Sequence, residues 1–306
     1  MNIKFKITIV ILILIAIITG CLSYMYKDEL YIIYRDKILK ERDNIVLTKN
    51  EYYKDDNYEY VKNTDKFIVE NKQEIMNAIY SIINSGTNEF TFYCDDNYIN
   101  CIDDIKIIVS DELILTTINN FVHPFNSFKE INTIYDDKGN ITLKITKNYT
   151  EDEINLINNK IDEIINNEIT NLMSLKTKII TIHNYIINNS KYAKDEEGNN
   201  SYSKANSILI NGLGTCNAYS DTMAIFLEKL NVNNYKIASD DHVWNLVLFN
   251  NKWLHLDLTW DDPVNSDGSD TLETTFLLIT DDKLKDLKVN MHDYNEDVYK
   301  EAKASN

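Results

Sequence analysis

The sequence predicts an α+β fold behind an N-terminal membrane segment. Only 2 prolines and 7 glycines among 306 residues leave little material for long linkers or a many-turned all-β sandwich. Apolar residues at three- and four-residue steps after Thr150 mark helices, and two β-rich runs separated by Asn250-Asn251 mark an antiparallel hairpin. A hydrophobic fraction of 44% suffices for a buried core, and the length fits about two domains. The net charge of -17, with acidic and basic residues interleaved, excludes nucleic acid as a partner, because phosphate binding needs Lys and Arg gathered on one face.

The first residues carry Lys4 and Lys6, followed by Ile7 to Ile18, apolar apart from Thr8. That pairing matches the charged and apolar regions of an export signal. Ile18-Thr19-Gly20-Cys21 resembles a bacterial lipoprotein cleavage box, which makes Cys21 a lipidation candidate. The competing reading keeps Ile7 to Tyr26, uncharged and about 20 residues long, as a helix across the bilayer. Lysines before the span orient the N-terminus inward in both cases, so the bulk of the chain is expected outside the membrane. Residues 1–26 are therefore signal or anchor, and 27–65 read as a helical and polar stalk, with a mixed-charge helix over Asp28 to Arg42.

Residues 66–150 read as a small α/β region without recognisable chemistry. A helix is expected over Lys72 to Ile83, with strands near Phe90 to Tyr93, Ile105 to Val109 and Ile141 to Thr146. Cys94 and Cys101 are close enough along the chain for a local disulfide outside the cell, the alternative being two buried thiols. From 151 to 306 the pattern turns helical. Thr150 caps a helix carrying Ile154, Ile157, Ile161, Ile164 and Ile165, and a second helix contains His183, expected as a packed histidine.

Chemistry concentrates between Ser201 and Pro263. Gly212-Leu-Gly-Thr-Cys216 runs into Met223, Phe226, Leu227 and Leu230, which places Cys216 at a helix start. There the glycines allow a sharp turn, and the helix's partial positive charge favours a nucleophilic sulfur. An unpaired cysteine in an exported chain itself calls for a role. In the hairpin, pairing Phe249 with Lys252 puts His242 opposite Thr259, Trp244 opposite Asp257 and His255 opposite Leu246. His242 and Asp257 then share a face as diagonal neighbours, about 7 to 8 Å apart along the backbone. A carboxylate at that distance can orient the imidazole and leave its other nitrogen for a thiol. His255 reads as a packed or edge histidine. No two histidines have the close spacing of a zinc site, and no cofactor motif is present.

Gly-Thr-Cys216-Asn-Ala-Tyr, His242-Val-Trp-Asn and Trp253-Leu-His-Leu-Asp257-Leu-Thr-Trp-Asp-Asp-Pro263 together resemble the transglutaminase-like superfamily, especially its exported bacterial members. Ile182-His-Asn-Tyr-Ile-Ile, Lys191-Tyr and Ser201-Tyr-Ser-Lys-Ala-Asn resemble the segments preceding the cysteine in those proteins, and the resemblance spans about Leu172 to Leu278. It implies a papain/transglutaminase-like core, a cysteine-bearing helix on an antiparallel sheet, with a Cys-His-Asp triad on Cys216, His242 and Asp257. Ala218 replaces the glycine common two residues after the cysteine. The backbone N-H of Cys216 is the expected oxyanion donor. The implied activity is acyl transfer on amide bonds of proteins or cell-wall peptides, by hydrolysis or transamidation. A catalytically silent binding or scaffold module on the same fold is the alternative.

Overall fold

A computed structural model describes residues 3–35, 45–136, 138–193, 202–263 and 271–303. They fall into two units, Met1–Val46 and Leu47–Asn306. The first contains α1 (Ile3–Met25) and α2 (Lys27–Tyr34). Ile7–Met25, with mean hydropathy 2.6 and no burial inside the protein, is long and apolar enough to cross a membrane. The rest of the helix expected up to Arg42 lies largely outside the described residues.

In the second unit, β1 (Ile68–Val69), α3 (Lys72–Asn84), β2 (Glu89–Cys94), α4 (Cys101–Ser110) and α5 (Glu112–Asn120) precede the hairpin of β3 (Phe128–Tyr135) and β4 (Asn140–Lys147). The sheet runs β1-β2-β4-β3, with β1 parallel to β2 and the remaining pairs antiparallel. In β4 Ile141, Leu143 and Ile145 are buried between more exposed neighbours, the alternation expected of a half-buried strand. Cys94 and Cys101 form a disulfide between the end of β2 and the start of α4.

Two expectations fail here. Ile105 to Val109 is helix, not strand: Cys101, Ile105 and Ile108 recur at three- and four-residue steps and form the buried face of α4. Residues from Leu47 onward are not stalk, since Lys54, Tyr58, Val61 and Phe67 are all buried in the folded unit. Tyr58 packs on Phe121, Tyr235 and Trp253 with ring centroids 5.0, 4.9 and 6.4 Å away. The Lys54 ammonium, which would be costly to bury alone, is paired with Glu228 at 2.9 Å and also meets the Asn234 carbonyl.

The remaining elements build the second layer. They are α6 (Glu151–Glu168), α7 (Leu175–Asn188), β5 (Lys191–Tyr192), β6 (Leu213–Gly214), α8 (Cys216–Lys229), β7 (Asn234–Ala238), β8 (Val243–Phe249), β9 (Lys252–Leu256), β10 (Leu277–Ile279), α9 (Asp281–Asp286) and α10 (Lys300–Lys303). Thr150 and Glu153 close a capping box at the start of α6, satisfying two N-H groups reciprocally. The antiparallel sheet has the order β10-β9-β8-β7. Asn250 and Asn251 both adopt positive φ (51° and 62°), the conformation of a two-residue hairpin turn. Phe249 faces Lys252, and the ladder continues through Leu246 opposite His255 to Asn245 opposite Leu256. Ile157 and Ile161 of α6, Ile179 and Ile182 of α7, Met223 and Phe226 of α8, and Val247 and Leu256 of the sheet share one core.

Helix α8 is fixed on this sheet by polar contacts as well as packing. Buried Asp221 receives Lys236 Nζ at 2.6 Å from β7 and Tyr149 Oη at 2.7 Å, while Asn245 of β8 donates to the Ser220 carbonyl at 3.0 Å. Each buried charge thus has its partners, as low-dielectric burial requires. The packing of Tyr58 gives a test: Tyr58→Ala should lower unfolding free energy by about 3 to 5 kcal/mol in chemical denaturation. A change within about 0.5 kcal/mol would return the segment to a solvated stalk.

Candidate active site

The cysteine is delivered by backbone geometry. Gly212 has φ +66°, a left-handed conformation that side chains disfavour, and it closes the turn before β6. At Gly214 a Cβ would fall 2.4 Å from Ile208 Cδ1 and 2.8 Å from Ala218 Cβ. The chain therefore passes close against the first turn of α8, and Ala218 is fully buried there. Thr215 occupies the N-cap position, yet its hydroxyl donates to the Tyr202 carbonyl at 3.3 Å and makes no cap to the helix. The first-turn N-H groups and the positive end of the helix dipole are left facing the half-buried Cys216.

The histidine is delivered by the turn between β7 and β8. Ser239 donates its N-H to the His242 carbonyl at 2.9 Å, which starts β8 one residue after the histidine. His242 and Trp244 project to one side, and their rings stack with centroids 5.5 Å apart and planes 15° from parallel. His242 Nε2 lies 2.6 Å from Asp257 Oδ2. Asp257 takes that nitrogen and leaves Nδ1 to other partners, and the Cys216 side chain is near enough to help raise the ring's pKa.

Asp257 lies just past the end of the β9 ladder, where the chain turns toward β10: its N-H donates to the Phe276 carbonyl at 3.2 Å. Its Oδ1 accepts the backbone N-H groups of Thr259 and Trp260 at 2.9 and 3.3 Å. The predicted pairings of Trp244 with Asp257 and His242 with Thr259 fall beyond the ladder, which ends at Asn245 and Leu256. The diagonal approach of His242 and Asp257 is nonetheless made by their side chains. The following turn is anchored by Asp261, which accepts the Phe276 N-H at 2.9 Å and contacts His183 Nε2 at 3.1 Å. His183, fully buried, holds that turn against α7. His255 is also fully buried: its Nδ1 accepts the Trp244 indole N-H at 3.0 Å, and Asp281 lies 3.8 Å from its Nε2.

A residue with no local signal in the sequence completes the cluster. His292, in a 3-10 turn over Asn290–His292, brings Nε2 to 2.8 Å from the same Asp257 Oδ2. The ligand atoms of His242, Asp257 and His292 lie within 4.8 Å of one another. Both nitrogen-to-oxygen separations are hydrogen-bond lengths, so the arrangement is that of two imidazoles on one carboxylate oxygen.

Electrostatics follow from this packing. Burial opposes charge on His242, but the Asp257 charge and hydrogen bond, with a further contribution from Cys216, outweigh it and raise the imidazole to about 9. Burial likewise opposes charge on Asp257, and His242 and His292 override it, holding the carboxyl at about 2. For His255 burial dominates and lowers the imidazole. Because His242 is raised from its ordinary 6.5, its ion pair stabilises the fold fully below pH 6.5 and is lost as pH rises through 9. Thermal stability should accordingly fall by up to about 3 kcal/mol across that window, and His242→Gln should flatten the fall. A wild-type profile already flat from 6.5 to 9 would contradict the ion pair.

Residues 162–258 match the family model of the transglutaminase-like superfamily. No curated protein matches the chain. Among solved structures, a TGase is similar at 15% identity with a TM-score of 0.34, covering 46% of this chain and 46% of that one. A protein from Cytophaga hutchinsonii described as a candidate cysteine protease is similar at 14% identity with a TM-score of 0.29, covering 47% of this chain and 65% of that one. The chain thus spans less than two thirds of each of these two structures. The segment from 162 to 258, which contains Cys216, His242 and Asp257, is thus similar to the core of the transglutaminase-like superfamily.

Proposed function

We propose that this protein is a cysteine-dependent acyl transferase acting on amide bonds of proteins or cell-wall peptides at the outer face of a membrane. One observation carries the reading: His242 Nε2 lies 2.6 Å from the buried Asp257 carboxylate, and Cys216 stands at the start of α8 within the same matched segment, so that a thiol, an imidazole and a carboxylate are available together. Those are the roles of nucleophile, base and orienter.

In the proposed reaction the Cys216 thiolate, beside the imidazolium of His242 that already holds the proton, attacks the amide carbonyl, and the Cys216 backbone N-H at the helix start donates a hydrogen bond to the oxygen on which charge develops. The carbon–nitrogen bond breaks as His242 gives that proton to the departing amine, leaving a thioester. An amine acceptor then yields a new amide, or water a carboxylic acid, and the thiol is regenerated. Asp257 stabilises the imidazolium throughout. The membrane-compatible helix supports an extracytoplasmic location, by retention of α1 or by cleavage and lipidation at Cys21.

The test is a mass-spectrometric screen of cell-surface peptides incubated with the wild-type protein and with Cys216→Ala, reading cleavage, deamidation and new isopeptide links. Products from the wild type should be lost in Cys216→Ala, while Asp257→Asn should retain about 10⁻³ to 10⁻⁴ of the rate. Products undiminished in Cys216→Ala would remove the proposal. Once a product is in hand, its rate should decline above pH 9, where His242 no longer holds the proton the leaving amine needs. A rate still rising through pH 10 would assign the acid to another group.

A further inference from the structure

We propose that His292 is a positioning residue that sets the strength of the Asp257–His242 pair by sharing the carboxylate oxygen on which that pair depends. This rests on the catalytic reading of Cys216, His242 and Asp257 given above. The observation is geometric: Asp257 Oδ2 lies 2.6 Å from His242 Nε2 and 2.8 Å from His292 Nε2, and the two rings stand at 89° with centroids 5.3 Å apart. Perpendicular rings can bring two N-H groups to one oxygen without colliding. The opposite oxygen is already occupied by the Thr259 and Trp260 N-H groups. The carboxylate is thereby fixed in rotation by four donors.

The surroundings of His292 orient it for this contact. Its ring stacks on Phe276 at 4.8 Å and 20°, and Trp244 and Trp260 close around it at 4.9 and 5.4 Å. Its loop is tied to the turn that delivers His242, because Ser239 Oγ donates to the Met291 carbonyl at 2.6 Å. Its other nitrogen, Nδ1, is buried without a hydrogen-bond partner among the described residues. Among the described residues its hydrogen bonding is thus spent on Asp257, with Nε2 as the donating nitrogen.

Among the described residues, Lys285, Lys288, Asp293, Tyr294 and Glu296 line the pocket beside His292. Asp257 faces His242 and His292; His242 faces Cys216 on α8; and behind Trp244 stand His255 of β9 with Asp281 and Lys285 of α9. Removing the His292 donor leaves more of the carboxylate charge on His242 alone. The imidazolium should then hold its proton to higher pH.

The experiment needs no identified substrate. Full-length protein in detergent is treated with iodoacetamide across pH 5 to 11, and alkylation of the Cys216 peptide is read by mass spectrometry, which separates it from Cys21. The upper inflection of that profile marks His242 losing its proton. His292→Phe, which keeps the stack on Phe276, should move the inflection up by about half a pH unit, and His292→Gln, which restores an N-H donor, should bring it back toward wild type. Inflections equal in the wild type and His292→Phe, or displaced alike in both variants, would overturn the proposal. A wild-type Cys216 titrating as an ordinary thiol with no upper inflection would instead overturn the catalytic reading itself. Should His292→Phe fail to fold, proton NMR of the wild type decides: two strongly hydrogen-bonded imidazole N-H signals are expected, one from each histidine, and a single such signal overturns the sharing.

Discussion

One buried oxygen, Asp257 Oδ2, receives two imidazole nitrogens, and the placement of the chemistry follows from keeping its charge ionised in a dry interior. An unpaired carboxylate there would protonate instead of staying charged. The fold answers by bringing donors from three directions: backbone N-H groups from its own turn, His242 from the start of β8, and His292 from the C-terminal 3-10 turn. The charge so retained keeps His242 protonated well above its ordinary range. The start of β8, the turn after β9 and the C-terminal 3-10 turn are thereby coupled through one carboxylate.

The supports of that ring lie far apart in the chain. Asp221 of α8 binds Lys236 of β7 and Tyr149 ahead of α6, so the helix carrying the cysteine is registered against the sheet carrying the histidine. Asp261 and His183 perform the same service for the turn after Asp257. Buried ion pairs of this kind add little net stability, because desolvation offsets their attraction, but removing one partner strands the other. Their contribution here is alignment.

Much of the site was legible in the sequence because hairpin registry is arithmetic. Two asparagines tolerating positive φ fix the turn, and each facing pair then follows, down to Leu246 opposite His255. Gly212 and the apolar stripe through Phe226 placed Cys216 at a helix start for equally local reasons. His292 could not be found this way: nothing near Asn290 or Met291 encodes a contact with a carboxylate 35 residues earlier. The same limit explains the two errors of fold. The Ile- and Val-rich run from Ile105 to Val109 has strand propensity, yet the buried stripe of Cys101, Ile105 and Ile108 prevails. The polar, tyrosine-rich stretch around Lys54 and Tyr58 reads as solvated until Glu228 and three aromatic rings meet it in space.

The central claim is that His242 touches both the carboxylate and the sulfur. It is tested most directly by following the His242 ring resonances against pH by NMR in the wild type and in Cys216→Ala. The account predicts a wild-type midpoint near 9 that falls when the sulfur is removed, because both the hydrogen bond and the charge of Cys216 favour the protonated ring. Identical midpoints in the two proteins would mean that the thiol and the imidazole are not in contact, and the catalytic reading would fall with them.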